Sequence, residues 1–95
     1  MVVGVLRLTL YIPDSHSLKE KRGVVRKIKS RVRNEFNVSI AECAEQDLWQ
    51  KTVLGICQVG SEHAYVEGAL HAVTDFIERL HVADMGEEEV ELLHY

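Results

Sequence analysis

Leu6-Arg7-Leu8-Thr9-Leu10-Tyr11-Ile12-Pro13-Asp14-Ser15-His16-Ser17-Leu18-Lys19-Glu20 contains the change of period that decides the fold. Up to Ile12 the apolar residues alternate. Leu6, Leu8, Leu10 and Ile12 point one way, and Val5, Arg7, Thr9 and Tyr11 point the other. A period of two is the mark of a half-buried strand, and here it extends back to Val2. Pro13-Asp14 stops it, because proline cannot donate to a ladder. Ser17-Leu18-Lys19-Glu20 then has the form of a capping box. The serine hydroxyl accepts from the backbone three residues on, and the glutamate reaches back over the open N–H groups. The period now becomes helical: Leu18, Val25, Ile28, Val32 and Phe36 share one face, and Asn37 is a suitable stop.

The same signals recur downstream. Val38–Gln46 and Thr52–Gly60 read as strands joined by the polar turn Asp47-Leu48-Trp49-Gln50, although the pattern leaves open which face of Val38–Gln46 is buried. Glu62 to about Ala83 reads as a second helix with the stripe Val66, Ala69, Leu70, Val73, Phe76, Ile77 and Leu80. Asp84-Met85-Gly86 should end it, and Glu87 to Tyr95 should return as a strand with Val90, Leu92 and His94 on one side. The order β-α-β-β-α-β is two βαβ units in tandem. It predicts a ferredoxin-like α+β sandwich, with two helices on one face of a four-stranded antiparallel sheet and the other face open. Residues 1–95 suffice for one such domain, and the 46% of hydrophobic residues suffices for its core.

No apolar run approaches the roughly 20 residues of a membrane span. The apolar start has neither a basic region nor a small-residue cleavage site, so the expectation is a cytoplasmic protein without membrane association. Cys43 and Cys57 lack C-x-x-C spacing and lie in apolar, strand-like surroundings. They are expected to be buried free thiols in a reducing compartment.

The net charge of −4 conceals a strong segregation. Between Leu18 and Phe36 lie eight basic residues and two acidic ones, a local net of +6; the rest of the chain carries −10. Lys19, Arg22, Arg26, Lys29 and Arg33 recur at spacings of three and four beside the apolar stripe. On a helix they form a line roughly 21 Å long within an arc of about 80°. Such a line can follow several phosphates of a nucleic-acid backbone. The alternative is a solvated face held by acids elsewhere in the fold, since Glu20 and Glu35 are the only acids in the helix itself. Lys19, Lys21 and Arg22 also stand in the first turn, where the helix dipole disfavours cations. A phosphate held by backbone N–H groups with Ser15, His16, Ser17 and Lys19 would reconcile the two; the alternative is that Ser17 is only a cap and His16 only a loop residue.

Other constellations are weaker. An RNA-recognition motif stacks bases on aromatics of its central strands, and Thr52–Val59 has none. Arg7 and Tyr11 could form only a small platform. Trp49 reads as a packing or hairpin-tip residue; an exposed Trp49 would mark a contact site. Glu67, His71 and Asp75 are spaced by four residues on the second helix, with Glu78 beside them. That spacing can hold a divalent metal, but a solvated face is the commoner outcome, and no metal or cofactor is expected. Glu87-Glu88-Glu89 reads as a solvated strand entrance. There is no P-loop, no G-x-S-x-G and no paired Cys/His. Acylphosphatases of this fold use a glycine-rich loop with an arginine after the first strand, whereas Pro13–Ser17 contains neither. Asp14 with His16 can be drawn as an acid/base pair, but such a sequence neighbourhood is weak evidence, and catalysis is not expected.

Three strings, Ser15-His16-Ser17-Leu18-Lys19-Glu20-Lys21-Arg22, Phe36-Asn37-Val38-Ser39-Ile40-Ala41-Glu42 and Asp47-Leu48-Trp49-Gln50, resemble those of the bacterial YlxP-like proteins, a domain of unknown function. The likeness runs over essentially the whole chain. It implies the ferredoxin-like fold, and it implies a link to translation, because such genes often lie beside those of an initiation factor and a ribosome-maturation factor. It implies no activity and no site residues. Two functions follow for testing: a non-catalytic module binding RNA or the ribosome through the basic helix, and a homodimeric interaction module pairing its open face or edge strands. A small-anion (phosphate) site at the helix start is the third.

Overall fold

A computed structural model describes residues 1–95. The alternating segment forms β1 (Val2–Tyr11), and the capped helix α1 spans Leu18–Glu35. They are followed by β2 (Ser39–Ala44), β3 (Lys51–Gly60), α2 (His63–Arg79) and β4 (Asp84–His94). The strands pair antiparallel in the order β2-β3-β1-β4, and both helices lie on one face, which is the expected βαββαβ sandwich. Alternation sets the faces. Leu6, Leu8 and Leu10 of β1 stand opposite Ile56, Leu54 and Thr52 of β3 and are fully buried under the helices. Ile40, Leu54 and Ile56 extend that layer, while α1 contributes Val25, Ile28 and Val32 and α2 contributes Val66, Leu70, Val73 and Ile77. Each such side chain is worth about 1.5–3 kcal/mol on removal from water. Ile40 also settles which way β2 faces: it packs into the core, and Ala41 and Cys43 point to the open side.

The open face of the sheet carries Val3, Val5, Arg7, Thr9 and Tyr11 of β1, with Val59, Cys57, Gly55, Val53 and Lys51 opposite them on β3. Both cysteines lie on this face, exposed and unpaired, contrary to the expected burial. Their neighbours are apolar as expected, but no layer covers that side.

Boundaries move where backbone geometry overrides periodicity. Helix α2 stops at Arg79 rather than near Ala83, because His81 enters the left-handed region at φ 54° and its N–H returns to the Glu78 carbonyl. Asp84-Met85-Gly86 accordingly begins β4 instead of ending the helix. At the far end of β4, Val90 and Leu92 pack against the core as expected. His94 on the same side meets His63 at the start of α2, Nε2 to Nδ1 2.9 Å. Their ring planes differ by only 11°, and the 5.0 Å centroid separation is close to that N···N distance plus two ring radii. The rings therefore meet edge to edge in an N–H···N hydrogen bond rather than stacking face to face.

Gly4 determines how closely α2 can sit on β1. A Cβ there would lie 2.5 Å from Val66 Cγ1 and 2.8 Å from Leu70 Cδ1, both fully buried. Gly4→Ala is expected to lower stability by about 1–3 kcal/mol through overpacking, read as a reduced urea midpoint. An unchanged midpoint would show that α2 is not seated on this glycine.

Candidate functional site

The basic row survives folding as a surface feature. Lys19, Arg22, Arg26 and Arg33 are exposed and Lys29 is half-buried. The structure contains three ion pairs, Lys21–Glu42, His63–Glu67 and His71–Glu88, and none of them involves a member of the row. Arg22, Arg26 and Lys29 border a notch of about 150 Å³ between α1 and β2, with Val25 and Glu42 completing its lining. One oxygen of the Glu42 carboxylate, Oε2, takes both the Lys21 ammonium and the Thr52 hydroxyl. Arg33 lies further along and donates from Nη2 to the Ile40 carbonyl at 3.1 Å, which ties the end of the row to the edge strand β2.

Lys21 behaves differently from its neighbours. It is one of the eight basic residues of the segment, yet its side chain is fully buried. Its Nζ donates to the carbonyls of Glu45 at 2.6 Å, Lys51 at 3.1 Å and Gln46 at 3.2 Å, and stands 3.0 Å from Glu42 Oε2. The signal for this was in the spacing: 21, 25, 28 and 32 continue the core stripe with steps of four, three and four. Counting Lys21 with the surface charges hid it. Its acceptors include the carbonyl of Glu45, a non-glycine residue held at φ 64°. An ammonium at that carbonyl helps hold the left-handed conformation that L-residues otherwise avoid.

The helix start is capped by its own residues. Ser17 Oγ accepts from the Glu20 N–H at 3.1 Å, and the Glu20 carboxylate accepts from the His16 N–H at 2.6 Å. Ser15 is buried and its hydroxyl donates to the Ser17 carbonyl. Of the residues considered for an anion, Ser15 and Ser17 thus make internal hydrogen bonds and His16 has its backbone N–H on an acid, while the His16 ring and the Lys19 side chain stay exposed.

The chain segment joining β2 to β3 carries a patch that periodicity does not report. Trp49 is 53% exposed, Leu48 46% and Tyr11 42%. With Pro13, Gln50 and Lys51 they line a concavity of about 510 Å³, and Lys51 Nζ lies 6.0 Å from the Tyr11 ring centroid. Trp49 is therefore a hairpin-tip residue on the surface. The central part of the open sheet face bears no aromatic ring, as the sequence of β3 predicts; Trp49 and Tyr11 share this end, while the other exposed aromatics, Tyr65 and Tyr95, stand at the start of α2 and beyond β4.

On α2, His71 turns its Nδ1 to Glu88 of β4 at 3.3 Å, away from a shared site with Glu67 and Asp75. Glu88 also accepts from the Thr74 hydroxyl, so one member of the glutamate run in β4 is tied to the helix. His63 directs Nδ1 to His94 and Nε2 towards Glu67, which engages its two nitrogens in different directions. No three His, Cys, Asp or Glu side chains come together as a metal ligand set. No helix is long and apolar enough to cross a membrane.

The buried ammonium makes a direct prediction. Lys21→Met leaves Glu42 without its cation and removes the ammonium from three carbonyls, of which only that of Glu45 keeps another donor, the Leu48 N–H, and is expected to cost about 3–5 kcal/mol. Adding Glu42→Leu should restore only part, since the loop carbonyls still lack the ammonium. Urea denaturation measures both, and a loss below about 1 kcal/mol for Lys21→Met would contradict this account of the site.

Comparison with known proteins places the chain. A family model described as "Protein of unknown function (DUF503)" matches residues 3–90. The chain is 44% identical over 77 residues to "Uncharacterized protein YlxP" of Bacillus subtilis (strain 168), covering 81% of this chain and 84% of that protein. Among solved structures it is similar to "De novo designed protein Foldit4", with a TM-score of 0.52 and 16% identity over 99% of this chain and 97% of the design. That likeness concerns the fold alone. Match and identity together extend over most of the sequence, and the chain belongs to the DUF503 family of proteins of unknown function, as the YlxP-like strings in its sequence implied.

Proposed function

We propose that this protein is a non-catalytic RNA-binding module whose contact surface is the exposed face of α1, with Lys19, Arg22, Arg26, Lys29 and Arg33 set against phosphates. The observation that carries this reading is that five cations stand in one row and none of them forms an ion pair with an acid of the chain. Like charges along one helix face repel, and a polyanion relieves that repulsion while releasing its own condensed counterions. The lack of aromatic rings at the centre of the sheet face argues against base stacking there, so the helix would read backbone and shape more than sequence. The link to translation implied by the family resemblance makes ribosomal RNA the natural first ligand.

A second reading is favoured by the aliphatic surface of the open face. Val59 is 60% exposed, and Val5, Ala41, Cys43, Gly55 and Cys57 line a shallow groove of about 340 Å³ beside it. That surface would suit a homodimer pairing sheet to sheet.

Both readings are tested with one set of variants. Wild-type protein should bind structured ribosomal RNA fragments with a log–log salt slope of about −3 to −5, as expected for some five phosphate contacts. Arg26→Glu/Lys29→Glu should lose that binding with a stability change of only about 0.5 kcal/mol, because neither side chain has a partner to lose. No binding at low salt would sink the RNA reading. A light-scattering mass of two chains that survives this double variant and falls to one chain in Val59→Glu would put the dimer in its place.

A further inference from the structure

The Leu48–Trp49 turn bears apolar surface that the core does not use. Helices and sheet bury a complete aliphatic core without it, and an exposed tryptophan beside an exposed leucine and tyrosine is a contact site rather than a stabilising feature. The turn is also firmly held. Three of its carbonyls, those of Glu45, Gln46 and Lys51, receive the Lys21 ammonium. Gln50 Nε2 donates to the carbonyls of Pro13 and Ser15, both at 3.1 Å, and the Gln50 carbonyl accepts from the Ile12 N–H at 2.9 Å. The aromatic ring pairs of the fold are Phe36–Phe76 and His63–His94, so no ring covers a face of Trp49. A held frame with an open aromatic face is pre-organised for a flat ligand, because little order has to be imposed on binding.

The surroundings favour a ligand with negative charge on one side. Lys51 lies over Tyr11 within the concavity. Helix α1 begins at the same end of the molecule, just after the Pro13–Ser15 segment that Gln50 grips, and brings Lys19 and Arg22 with it, both exposed. Asp14 and Asp47 stand in the flanking turns. We propose that the Trp49 patch, with Tyr11 and Lys51, is a stacking platform for an unpaired base of the RNA strand whose backbone lies along α1. Stacking on aromatic side chains is sequence-tolerant and suits single-stranded segments, so the preferred ligand is a loop or single strand rather than a continuous duplex. The proposal rests on the RNA reading of α1 and adds the class of RNA.

Trp49 is the only tryptophan, so its emission reports on this patch alone. The full-length protein is titrated with a short oligoadenylate and with an abasic oligomer of the same length. The expected result is saturable quenching by the first and none by the second. Trp49→Ala should weaken oligoadenylate binding about 5- to 100-fold, and Trp49→Phe should recover most of the loss; the exposed position leaves the fold intact in both. If Trp49→Ala binds as tightly as wild type while Arg26→Glu/Lys29→Glu does not bind, the platform is overturned and the α1 reading stands. If wild type binds no RNA, both fall. A blue shift of Trp49 emission with rising protein concentration alone overturns the platform in favour of a protein contact.

Discussion

The buried ammonium of Lys21 is the constraint on which the β2–β3 turn and its junction with α1 depend. A fully desolvated cation is costly by several kcal/mol unless its hydrogens are satisfied and a counter-charge lies close. Here three N–H donors face four acceptors, the Glu42 carboxylate and the carbonyls of Glu45, Gln46 and Lys51. The acceptors come from the end of β2, the turn and the start of β3, while the donor comes from the first turns of α1. Sequence-distant segments therefore cannot move independently. The left-handed Glu45 is held by the same ammonium, and the Gln50 amide joins the turn to the Pro13–Ser15 segment that precedes α1. The basic row and the aromatic patch thus belong to one stiff unit.

Charge is distributed over the fold in a way that follows from its topology. The sheet order sets β2 and β4 at opposite edges. Helix α1, with its row of cations, borders β2 through the notch above Glu42 and the Arg33–Ile40 contact. Strand β4 carries Glu87, Glu88, Glu89 and Glu91, and α2 faces it with Glu67 and Asp75 on its exposed side. A chain of net charge −4 can therefore offer a polyanion one attractive side and one repulsive side. Fields of this kind act on approach and orientation over about a Debye length. A phosphate backbone would be steered to α1 and kept from β4.

Much of this was legible in the sequence because two periods carry it. Alternation in β1 and the three-and-four spacing of both helices are direct consequences of burying one side of each element, so the element order and the sandwich follow from them. What escaped has other causes. The end of α2 escaped because Val82 and Ala83 are apolar and continue the pattern while packing on the core as the chain leaves the helix, and His81 gives no glycine signal for its left-handed turn. The exposure of Cys43 and Cys57 escaped because small apolar neighbours suit an uncovered sheet face as well as a core. Lys21 escaped for the opposite reason. Its position spoke for burial and its chemistry for exposure, and only the hairpin, distant in sequence, supplies the carbonyls that decide between them.

That division among the lysines and arginines bears on function. In a fold whose core is nearly all aliphatic, one cation of the basic helix is consumed in construction and its neighbours are left without ion pairs. Exposed ion pairs contribute little to stability, typically about 0–1 kcal/mol, so the fold loses almost nothing by leaving them unmade. The chain has acids in excess, but those gathered on β4, Glu87, Glu88, Glu89 and Glu91, are kept by the sheet order at the edge opposite β2. Folding stability therefore gives no reason either to gather the cations on α1 or to hold Trp49 in the open beside them. Both features become intelligible together if the surface is shaped for a partner that is negative along one side and flat at the other.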